Sequence, residues 1–331
     1  MRAIVVKNWL KGPNDLEVKD IPVPTPQAGE LLVHIDSVGA NFFDILLIQG
    51  KYQIKPPFPF TPGAEFSGTV VRAPADGQFK AGDRVFGSNP TGAYAEYIAV
   101  PQAQCFAVPS TLSLEQAAGL YITYPTSYAA LVLRAQMQAG EWVLVHAAAG
   151  GVGIAAVQIA RALGARVIAA VGSQEKFDVC RAQGAEHCVN YREPGWPERV
   201  LELTGGRGAN VVFDPVGLVE RSLKCTAWNG RVVVVGFAAG AIERIAANRI
   251  LLKNVAVTGV HWGAYVRNEP ERVPEVWRAL FKLAEEKKIT PVVYEPVFYG
   301  LDKAKDALKA IASRATYGKV VVKPAETPSK L

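Results

Sequence analysis

Cysteine, histidine and methionine are scarce, with four, four and two copies in 331 residues. Cys105, Cys180, Cys188 and Cys225 form no CxxC pair and have no histidine at ligand spacing. That argues against a cysteine-framed metal site and against a disulfide scaffold, and leaves four small hydrophobes in a reducing compartment. No apolar run approaches the ~20 residues of a membrane span, so no membrane is expected. The opening MRAIVVKNWL alternates like a strand and lacks the apolar core and cleavage site of a secretory signal. The net charge of +6 is spread along the chain, with no basic stretch interleaved with aromatics, which makes nucleic acid a poor partner. Repeats and low-complexity runs are missing too. What remains is half hydrophobic and one-fifth charged, a globular composition with enough length for two domains.

The first 124 residues read as strands and turns, at 3–6, 30–38, 68–72 and 94–100, broken by prolines at 56, 57, 59 and 62. Ser113-x-x-Gln116 has the form of a capping box and opens a helix. From residue 125 the pattern becomes strand, helix, strand, which predicts a parallel sheet with helices on both faces. Strands are expected at 142–146, 167–171, 188–190, 211–214, 231–236 and 255–260. Helices are expected at 174–183 and 196–204. Residues 273–287 read as a helix, 292–298 as a strand, 302–313 as a helix and 319–322 as a last strand. Periodicity alone leaves open which domain these last elements join.

The stretch WVLVHAAAGGVGIAAVQIARALG, from Trp142 to Gly164, is the centre of the second half. A short apolar strand runs into small residues and then a helix, and Ala148-x-Gly150-x-x-Gly153 fits the dinucleotide fingerprint with alanine for its first glycine. Ala149, Gly150, Gly151, Val152 and Gly153 are the candidate contacts. Residues this small let the backbone approach a pyrophosphate, and the helix N-terminus offers it unpaired N–H groups.

Seven segments recur in order and carry a resemblance. They are Val38-Gly39-Ala40-Asn41-Phe42-Phe43-Asp44, Pro62-Gly63-Ala64-Glu65, Ala81-Gly82-Asp83-Arg84-Val85 and Gly92-Ala93-Tyr94-Ala95-Glu96-Tyr97, then His146-Ala147-Ala148-Ala149-Gly150-Gly151-Val152-Gly153, Asn190-Tyr191-Arg192 and Arg314-Ala315-Thr316-Tyr317-Gly318-Lys319. Together they resemble the zinc-free quinone oxidoreductases, related to zeta-crystallin, of the medium-chain dehydrogenase/reductase superfamily. The resemblance implies an α/β chain of two domains. A GroES-like, partly open β-barrel catalytic domain takes residues 1–124 and 264–331, and a Rossmann doubly wound parallel sheet takes residues 125–263. It also implies an active site in the cleft between domains and a homodimer formed through the strand from Val255 to Val260. An apolar edge strand left open would invite aggregation, so pairing it makes physical sense.

Zinc relatives bind their catalytic metal through a cysteine where this chain has Asn41 and a histidine where it has Ala64, so no metal is expected. Cofactor choice falls on Gly172-Ser173-Gln174-Glu175-Lys176. An NAD site asks for an acidic residue at this point, whereas Gly172 leaves room for a 2′-phosphate, Ser173 can donate to it and Lys176 can oppose its charge. By resemblance Tyr191 lines the same pocket and Arg192 helps, so NADPH is the expected cofactor. The plain alternatives are a helix cap for Ser173, a solvated charge for Lys176 and packing for Tyr191. Carried over by position are Thr126, Gly217, Phe237, Val260, His261, Trp262 and, more weakly, Lys319. Asp214 reads equally as a buried acid without chemistry.

On the acceptor side Asn41, Asp44 and Tyr52 are the candidate catalytic residues. The Asn41 amide N–H and the Tyr52 hydroxyl can donate to a carbonyl oxygen while hydride leaves nicotinamide C4. Here too the plain alternatives stand, with Asn41 as a cap, Asp44 as a helix start and Tyr52 as core. The expected function is zinc-independent, NADPH-dependent reduction of quinones or related conjugated carbonyls. Reduction of enoyl or acrylyl thioesters or 2-alkenals is the nearest alternative, and an NADPH-binding structural or RNA-binding role is one of another class. Ser329-Lys330-Leu331 matches a peroxisomal address, which implies the peroxisomal matrix for a eukaryotic source and the cytoplasm for a bacterial one.

Overall fold

The computed structural model describes residues 1–240 and 242–326, so Ser329-Lys330-Leu331 lies outside the described residues. The chain divides into two compact units, Met1–Ile122 with Pro291–Leu331, and Thr123–Thr290. Each is described by itself.

The first unit opens with β1 (Arg2–Ile4), β2 (Val18–Asp20), β3 (Glu30–Ala40), α1 (Phe42–Ile48) and β4 (Glu65–Arg72). It continues with β5 (Arg84–Ser88), β6 (Tyr97–Pro101), β7 (Cys105–Ala107) and α2 (Leu114–Ala117). The box read from Ser113 is formed: its hydroxyl accepts from Gln116 N–H at 3.2 Å, and Gln116 Oε1 accepts from Ser113 N–H at 2.9 Å.

In the second unit come α3 (Thr123–Tyr128), β8 (Trp142–His146), α4 (Gly151–Ala162), β9 (Arg166–Val171), α5 (Phe177–Ala182), β10 (His187–Asn190) and α6 (Trp196–Leu203). Then follow β11 (Ala209–Asp214), α7 (Val219–Ser222), β12 (Thr226–Val234), α8 (Ala247–Lys253), β13 (Ala256–Gly259), α9 (Tyr265–Asn268) and α10 (Arg272–Glu285). β14 (Phe298–Tyr299), α11 (Ala304–Ala312) and β15 (Val320–Lys323) return to the first unit.

β3 is the spine of the first unit. Its early half pairs β6, with Leu31 opposite Val100, and its late half pairs β15, with Ala40 opposite Val320. Its other edge pairs β4, with Val38 opposite Phe66. Eleven residues of strand thus hold three partners, and the inward side chains Leu31, Val33, Ile35 and Val38 are buried with Phe66, Val85 and Val322. Burying such side chains contributes about 1.5–3 kcal/mol each.

The second unit is a six-stranded parallel sheet in the order β10-β9-β8-β11-β12-β13, which is the doubly wound Rossmann order. The chain reverses direction of growth between β8 and β11, and ligands bind such sheets at the carboxyl ends of the strands near that point. Every residue of β8 is buried.

Three expectations need correction. Residues 264–290 stay with the second unit and do not rejoin the first. The cause is α10, whose buried side Val276, Trp277, Leu280 and Leu283 packs toward α3. Gln158 of α4 then ties down Thr290, accepting from its N–H at 3.0 Å and donating to its carbonyl at 2.8 Å. The strand expected at 292–298 shrinks to Phe298–Tyr299 plus a bridge from Val293 to Lys319, since Pro291 and Pro296 lack the N–H a ladder needs. Helix α1 starts at Phe42, two residues before Asp44, the start offered as the plain alternative, and α8 was not anticipated.

His146 closes β8 with no exposed surface. Ser222 Oγ donates to Leu218 O, so His146 Nε2 donates to that hydroxyl at 2.8 Å, and Nδ1 is left without a partner. Burial pushes the imidazole down to about 4, with Arg221 acting in the same direction and Asp214 against it. A base held neutral in the fold stabilises above its unfolded value, and that contribution is lost as pH falls from about 6.5 towards 4. Stability measured by denaturant unfolding is therefore expected to fall across that window, by up to about 3 kcal/mol from this residue. An NMR titration showing the ring charged near neutral pH would contradict this.

Candidate active site

The strand registers bring three distant residues together. Asn41 follows the last residue of β3, Lys319 precedes the first residue of β15, and Glu65 opens β4 opposite the end of β3. Asn41 Nδ2 donates to Gly39 O at 3.0 Å and to Glu65 Oε1 at 2.9 Å, and its Oδ1 accepts from Lys319 Nζ at 2.7 Å. Lys319 Nζ also pairs with Glu65 Oε1. Glu65 Oε2 accepts from Ile122 N–H at 3.1 Å. An ammonium only donates and a carboxylate only accepts, so this surrounding fixes which way the Asn41 amide points.

The consequence is a correction. Both hydrogens of the Asn41 amide are committed inside the protein, so the donation to an acceptor oxygen expected of it is not available in this arrangement. In this arrangement Asn41 links Gly39, Glu65 and Lys319.

Asp44, in the first turn of α1, has no exposed surface. Its Oδ2 accepts from Asn41 N–H at 2.9 Å and from the Tyr94 hydroxyl at 3.1 Å, while Oδ1 has no partner. Burial raises the carboxyl to about 7 against the pull of Asn41 N–H, Lys319 and Tyr94, with Glu65 adding to the rise. This sealed carboxyl holds the Asn41 backbone N–H.

Tyr52 is half-buried and stacks on Phe43 at 5.2 Å and 21°. Its hydroxyl forms no hydrogen bond among the described residues, and burial and the Asp44 charge both raise it. Glu65 and Tyr94 were not anticipated as site residues. Both lie in quoted motifs, but a motif does not say which strand will face it.

In the second unit the fingerprint turn takes the expected form. Ala147 adopts φ 47°, Gly150 N–H donates to Ala147 O at 2.8 Å, and α4 begins at Gly151. A Cβ on Gly153 would lie 2.2 Å from Ala147 O, so only glycine lets the helix pack this close to the turn. Ala149 is buried, and Gly150, Gly151 and Val152 keep partial exposure at the helix entrance. Ser127 Oγ donates to Val152 O at 2.8 Å, which fixes α3, and with it the half-buried Thr126, beside that entrance.

At the end of β9 four of the expected residues converge. A Cβ on Gly172 would lie 3.2 Å from both Arg192 Nε and Tyr191 Oη. Lys176 is lowered chiefly by burial, and Arg192 pushes it the same way, so two cations share this corner. Ser173 precedes the turn Gln174–Lys176 without a side-chain capping bond, which leaves its hydroxyl uncommitted to the helix.

Asp214 is spent on its own turn, accepting from the N–H groups of Val216 (2.8 Å), Gly217 (2.9 Å) and Leu218 (2.6 Å). Gly217 takes φ 97° there. Phe237 is exposed, and Val260 extends the ladder of β13 by donating to Val234 O at 3.1 Å. His261 is exposed, and the half-buried Trp262 lies 5.2 Å from Tyr265. Lys319, also carried over as a cofactor contact, bonds Asn41 and Glu65. No group of three or more metal-ligating side chains occurs among the described residues.

A barrel-like unit assembled from both chain ends and a doubly wound nucleotide unit define a two-domain dehydrogenase scaffold. Residues 27–110 match the alcohol dehydrogenase GroES-like domain and residues 151–283 the zinc-binding dehydrogenase family. A quinone oxidoreductase-like protein 2 homolog from Nematostella vectensis is 40% identical over 298 residues, 88% of this chain and 81% of that protein. The quinone oxidoreductase of Escherichia coli, solved in complex with NADPH, superimposes with a TM-score of 0.88 at 33% identity, covering 98% of this chain and 100% of that one. The quinone oxidoreductase of Thermus thermophilus, also solved with NADPH, gives 0.85 at 37% identity with the same coverage. The chain belongs to the quinone oxidoreductase branch of the medium-chain dehydrogenase/reductase superfamily.

Asp44 sets a pH dependence opposite in sign to that of His146. A carboxyl whose folded value is raised stabilises fully below its unfolded value, and that contribution is lost as pH rises from about 4 through 7. Asp44→Asn is expected to remove this loss. The stability gap in favour of the variant then widens with pH, to at most about 4 kcal/mol on the alkaline side. Urea denaturation of both proteins at several pH values measures it, and a constant gap would contradict it.

Proposed function

We propose that this chain is an NADPH-dependent reductase of quinones or related conjugated carbonyls, and that it works without zinc. The observation that carries the cofactor is the corner at Gly172, where Lys176, Arg192 and Tyr191 converge and no carboxylate stands at the strand end. A 2′-phosphate gains from two cations there, while a ribose 2′-hydroxyl finds no acidic acceptor. Ser173 adds a donor. Ala149, Gly150, Gly151, Val152 and Gly153 would take the pyrophosphate, with Thr126 beside them. Gly217, Phe237, Val260, His261 and Trp262 would line the rest. When bound, the nicotinamide supplies hydride from C4.

The case against zinc rests on chemistry. Asn41 and Ala64 offer no thiolate or imidazole, and Glu65 is already paired with Lys319. A flat acceptor is favoured by the stacked Phe43 and Tyr52, whose faces and hydroxyl suit a conjugated carbonyl.

We further propose a homodimer through β13. This strand pairs only β12 among the described residues, so its outer edge is open, and Trp228 on β12 and Leu251 and Leu252 just before β13 are about two-thirds exposed or more. Apolar groups so exposed on an edge are a liability for a lone chain.

Three experiments test these readings. The purified protein, assayed side by side with a benzoquinone and an enoyl thioester, should oxidise NADPH faster with the quinone and should keep its rate in chelator. Lys176→Ala should raise the KM for NADPH about tenfold and spare NADH, since a charge-assisted contact of ~1.5 kcal/mol is lost. An unchanged cofactor preference removes the pocket assignment. For assembly, Leu251→Glu with Leu252→Glu should shift the sedimenting species from dimer to monomer, and an unshifted dimer places the interface elsewhere.

A further inference from the structure

The acceptor side of the proposed reaction needs a donor, and Asn41 has none to give. Lys319 does. Its ammonium carries three N–H groups, of which one meets Asn41 Oδ1 and one meets Glu65 Oε1. The third is left over. The side chain is 5% exposed, so the group is largely desolvated.

The fold builds a passage for this side chain. A Cβ on Gly39 would fall 2.2 Å from Ala118 O and 2.7 Å from Lys319 Cε, and one on Gly119 would fall 2.8 Å from Lys319 Cγ. Two positions in separate segments thus lack side chains where the lysine stem runs. Glu65 and Asn41 then fix the ammonium in place, each accepting one of its N–H groups. A fixed cation in a nearly dry setting stabilises developing negative charge far better than one in water. Phe43 and Tyr52 lie on and after the helix that Asn41 begins.

We propose that Lys319 is the electrophilic residue of the acceptor site, donating its third N–H to the carbonyl oxygen that takes up charge during reduction. The proposal rests on the reductase reading above. With the cofactor bound, hydride (one proton with two electrons) would leave NADPH, giving NADP⁺. The quinone becomes the hydroquinone monoanion, with its charge on oxygen beside Lys319. A proton from solvent completes the hydroquinone, and Lys319 keeps its own. The oxygen stabilised is that of a quinone or enone, the acceptor class whose reduction leaves charge on oxygen.

Removing the lysine alone would strand Glu65 as a buried unpaired carboxylate, so the decisive variant is Lys319→Met combined with Glu65→Gln. The readouts are the melting curve, the NADPH dissociation constant by fluorescence, and kcat over benzoquinones running from chlorinated to methylated. A merely structural lysine would lower every rate by one factor. An electrophile matters more as the product oxyanion becomes more basic. The expected result is a native-like melt, unchanged NADPH binding and a kcat loss that grows along the series to about 100-fold, the size lost with one oxyanion donor. A uniform loss, a retained kcat, or weakened NADPH binding with intact kcat each overturns the role. Turnover by the wild type separates the two readings. If it reduces no quinone with NADPH, the reductase function falls and takes this role with it; if it does and the double variant matches it, only the role of Lys319 falls.

Discussion

The first unit depends on the clamp of Lys319 between Asn41 and Glu65, a contact among residues from the end of β3, the start of β4 and the start of β15. It is a product of register. Once Ala40 faces Val320 and Val38 faces Phe66, the three side chains have no choice but to meet. A buried ion pair of this kind adds little net stability, because desolvating both charges offsets their attraction. Breaking one partner is far more costly, since the other is left alone in a dry place. The clamp therefore specifies arrangement more than it supplies stability. It joins a strand near the end of the described chain to one near its start, and it orients the residue that opens α1.

The second unit solves a different problem by removing side chains. Gly153 allows the helix to sit against the turn, and Gly172 leaves space beside Tyr191 and Arg192. Where bulk is withheld, polar backbone and cationic side chains are what a ligand would meet. Asp214 shows the complementary strategy, spending a full carboxylate on three backbone N–H groups so that the β11–α7 turn closes. A carboxylate so occupied has little left for a ligand.

Much of this was legible in the residues. The β8–α4 turn could be read because its signal is local: an apolar strand, small residues and an amphipathic helix, all within one continuous stretch. The Gly172 corner was legible in part, since Gly172, Ser173 and Lys176 are neighbours in the chain, while Tyr191 and Arg192 came from resemblance. The clamp was not legible, and neither was the commitment of both Asn41 hydrogens. Glu65 and Lys319 are 254 residues apart, and only strand pairing brings them together. Residues 264–290 were misassigned for a similar reason. The amphipathic pattern of α10 shows that it buries one face, but which partner it buries against is decided by Gln158 and α3.

The two units also differ in how charge is distributed, and the difference bears on selectivity. The Gly172 corner carries two cations with Glu175 the acid nearest in sequence, so it attracts an anionic group. The Asn41 cluster holds one ammonium against one carboxylate, and burial keeps the second carboxyl, Asp44, protonated up to about pH 7. A cluster balanced in this way exerts little long-range pull on an ion. Its one directional feature is a fixed donor, and its neighbours are the Phe43–Tyr52 pair and the exposed Phe42. Discrimination among neutral acceptors then falls to shape and stacking, where one methylene more or less is worth only ~1–3 kcal/mol. A cluster of that character would sort ligands by shape and stacking, the reverse of the Gly172 corner, where charge does the sorting.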